Sequence, residues 1–339
     1  MGKLSVDYHL IANQVDLFTK KPNKRKDNDR DNKTRETAIA ALFSSDEEIQ
    51  RIFIDHKKNK LIWKQIKKEF SEKILNHFFP KGNSNVRKCS IVMEYKAGMS
   101  NNYDFLASIY EQGVKKYLDI KLEFKRGNSI FDQPQFWSPY AGDGYIITKS
   151  TTAYVDFFYS TYSERLSTFT SEAIPVRDRY MSMIFNPKYD QHPFFMDLYK
   201  KSKRSSTINK KLHELKDESI DIYLDQIRQA PRSIDLISLE TALEKQLDKV
   251  FLSWSSEKME LGVEVLSQDD LKLSNRVGFK RGRKGLFNTV IFSTLSGKSI
   301  SALLRWRNHP CVLVPAWQVK LSPKNLLEKD IVIVDYARI

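Results

Sequence analysis

Cysteine is scarce in this sequence, with two among 339 residues. Cys89 and Cys311 lie far apart, form no CxxC pair and share no zinc-type spacing with the six histidines. That excludes a disulfide scaffold and a zinc finger or ribbon. Both cysteines sit in apolar runs and read as buried free thiols of a reducing compartment. His9, His56, His77, His192, His213 and His309 read as surface or packing residues. Long apolar runs are also missing: none approaches the roughly 18 residues that a membrane-spanning helix needs. The first residues lack the apolar core of a signal peptide. A soluble, cytoplasmic protein that meets no membrane is expected. Gly297-Lys298-Ser299 looks like the end of a phosphate-binding loop, but Phe292 stands where the upstream glycine belongs, so no ATPase motif is present.

Acidic residues are in deficit. Lys plus Arg number 56 against 42 Asp plus Glu, a formal net charge of +14. Such an excess concentrates polyanions around a protein, and nucleic acid is the commonest of them. With 41% hydrophobic residues the chain has enough apolar material to bury a sizeable core.

Leu4 to Phe18 is apolar-periodic, and the charged run from Lys20 to about Arg35 reads as an exposed arm. From Thr37 to Phe79 the pattern is helical: Leu61, Ile62, Ile66, Phe70, Ile74 and Phe78 recur at three- to four-residue spacing, and Pro80-Lys81-Gly82-Asn83 stops the run. Strands are predicted at Cys89–Lys96, Tyr103–Ala107 and Tyr117–Lys125. Residues 154–162 are aromatic-rich, and 196–250 return to a charged helical pattern. The last ninety residues are strand-rich, at 288–295, 299–307, 312–321 and 331–336. The expected organisation is an arm over 1–35, an α/β core over 36–195, and a helical then strand-rich region over 196–339.

The stretch Ile120-Lys121-Leu122-Glu123-Phe124-Lys125 carries the chemistry. Side chains alternate along a strand, so Ile120, Leu122 and Phe124 share one face and Lys121, Glu123 and Lys125 the other. Glu123 and Lys125 then point the same way, about 6.5–7 Å apart. Asp104, nineteen residues before Glu123, heads another apolar strand. If the two strands are neighbours, two carboxylates and an ammonium converge. Mg²⁺ is commonly held by one or two carboxylates together with water and substrate phosphate. A lysine beside it can orient the attacking water and offset charge developing on phosphorus.

Asp104 followed by Glu123-Phe124-Lys125 resembles the PD-(D/E)xK signature of restriction-endonuclease-like nucleases, over residues 60–160. Tyr103 stands where the signature has proline, a residue often absent in the superfamily. The resemblance implies a central mixed sheet flanked by helices, with a strand-rich basic C-terminal part. It also implies that Asp104 and Glu123 are Mg²⁺ ligands and that Lys125 is the lysine beside the attacking water. Gln133 and Gln135 are similar to the glutamine that follows this lysine in some members. Glu94, in a second ExK at Glu94-Tyr95-Lys96, is a candidate auxiliary contact, as are Glu69 and Glu72. The implied activity is hydrolysis of double-stranded DNA at a specific short sequence, as by a type II restriction enzyme. A homodimer and a companion DNA methyltransferase are the implied partners. The rival readings are a repair, recombination or transposition nuclease of the same superfamily, and a non-catalytic basic DNA-binding protein.

DNA contact is expected from Arg276, Lys280, Arg281, Arg283 and Lys284, five cations without an acid in nine residues, read as a glycine-bordered basic loop. Lys200-Lys201, Lys203-Arg204 and Lys210-Lys211 read as an exposed helix surface. Base readout is sought at Arg305, Trp306 and Arg307.

Overall fold

The computed structural model describes residues 6–20, 28–79, 89–96, 101, 103–111, 115–126, 135–137, 146–184, 192–230, 232–306, 315–322, 325–327 and 331–336. The chain divides into two units: Met1–Ile130 with Gln246–Leu266, and Phe131–Lys245 with Ser267–Ile339. These divisions differ from the boundaries expected after residues 35 and 195. The first unit is built from two separate stretches of chain.

The first unit begins with five helices: α1 (Tyr8–Ala12), α2 (Asp16–Thr19), α3 (Asn28–Leu42), α4 (Glu47–Ile54) and α5 (Lys60–Phe78). The expected arm is therefore only partly an arm. Lys21 to Asp27 lie outside the described residues, while Asn28 to Arg35 form the polar first half of α3. The helix is sustained by its second half, where Ala38, Ile39, Ala41 and Leu42 are buried. Arg35 is buried as well, and its Nε donates to the Leu17 carbonyl at 2.9 Å. Asp46 caps α4 by accepting from the Glu48 and Ile49 amides. On α5, Trp63, Ile66, Phe70 and Ile74 are buried, whereas Leu61 faces solvent.

Three strands follow, β1 (Cys89–Tyr95), β2 (Phe105–Glu111) and β3 (Lys115–Arg126), paired as an antiparallel meander. Cys89, half-buried, opens β1, and Cys311 lies outside the described residues. The chain then supplies β4 (Gln135–Trp137), α6 (Tyr154–Ser167), α7 (Arg177–Ile184), α8 (Pro193–Arg204), α9 (Ser206–Gln229) and α10 (Leu236–Glu244) to the second unit. It returns to the first as β5 (Lys249–Ser255) and β6 (Glu260–Val265). The five-stranded sheet runs β1-β2-β3-β5-β6, and β3–β5 is its one parallel pair. A parallel pair needs a long crossover, here the whole stretch between residues 126 and 249.

The inward face of β3 is the one predicted: Ile120, Leu122 and Phe124 are buried. Phe70 of α5 stacks on Trp254 of β5 at 5.6 Å between centroids and lies 6.0 Å from Phe124. Phe18 meets Trp254 edge-on, and the Trp254 indole N–H donates to the Phe18 carbonyl at 2.9 Å. This aromatic cluster fixes the strand bearing Glu123 and Lys125 against α5.

In the second unit the strands β7 (Leu273–Arg281), β8 (Phe287–Thr294), β9 (Ser299–Trp306), β10 (Pro315–Ser322) and β11 (Ile331–Asp335) join β4. They form an antiparallel sheet ordered β11-β7-β8-β9-β10-β4. Helix α9 packs on β8, burying Ile220, Tyr223, Leu224 and Ile227. The protein is thus α/β, with one mixed and one antiparallel sheet. Among the described residues no helix is long and apolar enough to cross a membrane.

The predicted basic loop is instead a β-hairpin. Arg276, Lys280 and Arg281 lie on β7, and Arg283 and Lys284 in the turn to β8. Gly285 in that turn has φ +77°, with open space where a Cβ would stand. Gly285→Ala is therefore expected to lower stability by about 1–2 kcal/mol through backbone strain alone, measured as a shift in the urea midpoint without a change in slope.

Candidate active site at the β2–β3 junction

The register of β2 on β3 pairs Phe105 with Leu122, so Asp104 stands beside Glu123 one step further along. The Asp104 amide donates to the Leu122 carbonyl at 2.9 Å, and its carbonyl accepts from the Lys96 amide at 2.8 Å. Its Oδ2 accepts from the Phe124 amide at 2.8 Å. Backbone on two neighbouring strands thus holds this carboxylate in place.

Lys125 joins the acids. Its Nζ is 2.8 Å from Glu123 Oε1 and 3.8 Å from Asp104 Oδ2, so one ammonium serves both carboxylates. The three residues singled out in the sequence are brought together. Glu123 is buried, the Asp104 side chain nearly so, and Lys125 keeps 34% of its side-chain surface. Lys125 is the most exposed of the three.

Two further charged residues belong to this centre and were not foreseen. Lys249 of β5 is buried, and its Nζ reaches Glu123 Oε2 at 3.2 Å. Glu36 of α3, also buried, accepts from the Tyr95 hydroxyl at 3.0 Å. Burial, then the Asp104 charge, raises the Glu36 carboxyl to about 7, with Glu123 adding to the rise and Tyr95 and Lys125 opposing it. The Asp104 carboxyl is raised too, first by burial and then by Glu123, against Lys125 and the Phe124 amide. Burial alone would lower the Lys125 pKa, yet the carboxylates of Glu123, Asp104 and Glu36 together raise it, so its ammonium is kept.

Asp104 and Glu123 meet the ammonium groups of Lys125 and Lys249 here, with Glu36 near enough to feel the Asp104 charge, and two of these three acids hold protons more tightly than usual. The site's donors are all oxygens, which suits a hard divalent cation such as Mg²⁺. Among the described residues no three acid, histidine or cysteine side chains gather as a ready-made cage. The donor set fits the mode in which two carboxylates hold Mg²⁺, with water and phosphate completing its shell. Asp104 and Glu123 would be those carboxylates.

Glu94 lies on β1 with its side chain 65% exposed and pairs with Lys96 at 2.5 Å. Glu69 accepts from the Leu261 amide at 3.1 Å, and Glu72 lies 3.8 Å from Lys68 on α5. Both serve structure. Lys121, on the same strand face as Glu123, is drawn off by Asp248 at 2.5 Å. Gln135 lies on β4 opposite Val319, in the second unit's sheet, which removes it from the sheet of Asp104; Gln133 is outside the described residues.

Of the basic residues, Arg281 lies over the Phe287 ring, 3.9 Å from its centroid, and donates to the Gly285 carbonyl at 2.6 Å. Lys284 pairs with Asp217 at 2.6 Å. Arg276, Lys280 and Arg283 are exposed. Arg305 donates to Gln318 at 3.0 Å; Trp306 ends β9, and Arg307 lies outside the described residues.

No family model, curated protein or solved structure matches the chain.

Proposed function

We propose that the protein is a Mg²⁺-dependent endonuclease of the PD-(D/E)xK type that hydrolyses double-stranded DNA at a specific short sequence, as a type II restriction enzyme does. The observation that carries this reading is the meeting of Asp104 and Glu123 at the Lys125 ammonium across neighbouring strands. A mixed sheet packed by helices, with this motif on an inner strand, supports the restriction-endonuclease-like core that the resemblance implies. The homodimer and the companion methyltransferase rest on the resemblance alone.

In this reading Asp104 and Glu123 hold Mg²⁺, which when bound polarises the phosphoryl oxygen and acidifies water. Lys125, charged and partly open to solvent, donates toward the attacking water or the phosphoryl oxygen and offsets negative charge growing there. Lys249 anchors Glu123 from behind, leaving its orientation little freedom. The exposed cations of the β7–β8 hairpin hold backbone phosphates, which supplies affinity but not sequence choice.

Incubation of supercoiled plasmid with the protein and Mg²⁺ tests this directly. Discrete linear fragments, abolished by EDTA and by Asp104→Asn, are expected. A smear would move the assignment to a non-specific nuclease of the same superfamily. Intact plasmid of altered mobility would leave a DNA-binding protein whose ExK strand is only a salt-bridged surface.

A further inference from the structure

Within the second unit, α8, α9, the β7–β8 turn and β9 line an open cleft of about 880 Å³. Five cationic side chains, Lys203, Lys216, Arg283, Lys284 and Arg305, line it against one acid, Asp217. Lys284 and Asp217 neutralise one another at 2.6 Å. Cations thus outnumber acids in the lining, and they come from α8, α9, the turn and β9. Lys216 is buried on α9, and burial pulls its ammonium down to about 8, opposed by Asp217. An anion beside it would restore the charge that burial disfavours.

The volume narrows the ligand. It falls within the roughly 300–1,000 Å³ of small-ligand sites, too small for a whole duplex to enter. A concave wall of low dielectric focuses the field of its cations onto what lies inside. Charges spread over four elements suit several anionic groups in succession better than a single carboxylate. The arginines add forked donors that match phosphate oxygens two at a time. Tyr199 also lines the cleft, with Lys203 Nζ 5.5 Å from its ring centroid.

We infer that this cleft binds nucleotide phosphates, either successive backbone phosphates of a nucleic-acid strand or the phosphate chain of a free nucleotide. The site adds Lys203, Lys216 and Arg305 to the hairpin cations and extends the nucleic-acid reading of this unit. It does not depend on hydrolysis at Asp104, Glu123 and Lys125.

The test is binding in EDTA, where no Mg²⁺-dependent cleavage occurs. Fluorescence anisotropy of a labelled 12-nucleotide strand is titrated with the full chain, as a single strand and as a duplex, with and without ATP as competitor. Lys203 and Arg283 are exposed, so Lys203→Gln/Arg283→Gln should leave the fold intact, checked by an unchanged melting temperature. Lys58→Gln/Lys258→Gln removes the same charge from exposed positions of the first unit and is the control. The cleft variant is expected to bind at least tenfold more weakly and to lose about two from the slope of log affinity against log salt. The control is expected to bind as the parent does. Displacement of the strand by ATP would make a free nucleotide the ligand; competition by strands alone would make it the polymer. Parental affinity of the cleft variant for both probes, or no binding of either by the parent, overturns the inference. Loss of cleavage in Asp104→Asn with binding unchanged bears on the first unit only.

Discussion

Lys125→Ala is expected to lower the single-turnover rate of DNA cleavage by about 10²–10³-fold while leaving DNA affinity within a factor of two. The Lys125 ammonium pairs with both Glu123 and Asp104, and its side chain keeps 34% of its surface. It stands where negative charge would grow as a phosphodiester is attacked. Its loss removes stabilisation of the transition state but no contact of the second unit with phosphates. Ground-state binding should therefore persist. The variant must be shown to be folded, because two largely buried carboxylates lose their shared cation. Lys249 remains on Glu123 at 3.2 Å and limits that damage. Lys125→Arg keeps the charge but spreads it over a planar fork, and it should recover only part of the rate. Cleavage by Lys125→Ala at the parental rate would remove this residue from the mechanism.

The sequence made this part of the site legible because the signal is local. Ile120 to Lys125 alternates with period two, and that period alone places Glu123 beside Lys125 and away from the core. Asp104 lies close enough along the chain for adjoining strands to supply it. Lys249 and Glu36 gave no such signal. Lys249 reaches Glu123 across 126 residues, and Glu36 meets Tyr95 across 59. A lysine in a charged helical stretch and a glutamate after a basic run both read as surface groups until tertiary packing buries them. The same distance effect hid the division of the chain. Val250, Phe251 and Leu252 are apolar enough for a buried strand, but nothing nearby says that the strand pairs with β3. The hairpin at 273–294 was obscured differently: the charges of Arg276, Lys280 and Arg281 outweighed the buried Val277 and Phe279 that alternate with them.

The position of Glu36 yields an expected result in metal-free buffer. Glu36→Gln should stabilise the protein at pH 8 by up to about 3 kcal/mol and leave its stability near pH 4.5 unchanged. The folded protein holds the Glu36 proton up to about pH 7, whereas an unfolded chain releases it near 4.5. Between those values the folded state binds the extra proton, so stability falls as pH rises through the window and levels off above it. The Asp104 charge is the largest contribution to the raised Glu36 pKa after burial. Glu123 adds repulsion, while Lys125 and the Tyr95 hydroxyl relieve part of it. Glutamine is neutral at every pH, keeps an oxygen to accept from Tyr95, and differs little in volume. Urea titrations of both proteins in EDTA from pH 4.5 to 8 measure the difference. Parallel pH profiles, or a variant weaker than its parent at pH 8, would show that the Glu36 carboxyl is not strained by its neighbours. A gain confined to the upper half of the range would instead show that fold stability is given up there to keep three acids close to two amines. That cost is expected where positive charge is meant to arrive with a ligand, and it ties the electrostatics of α3, β2 and β3 to the proposed hydrolytic centre.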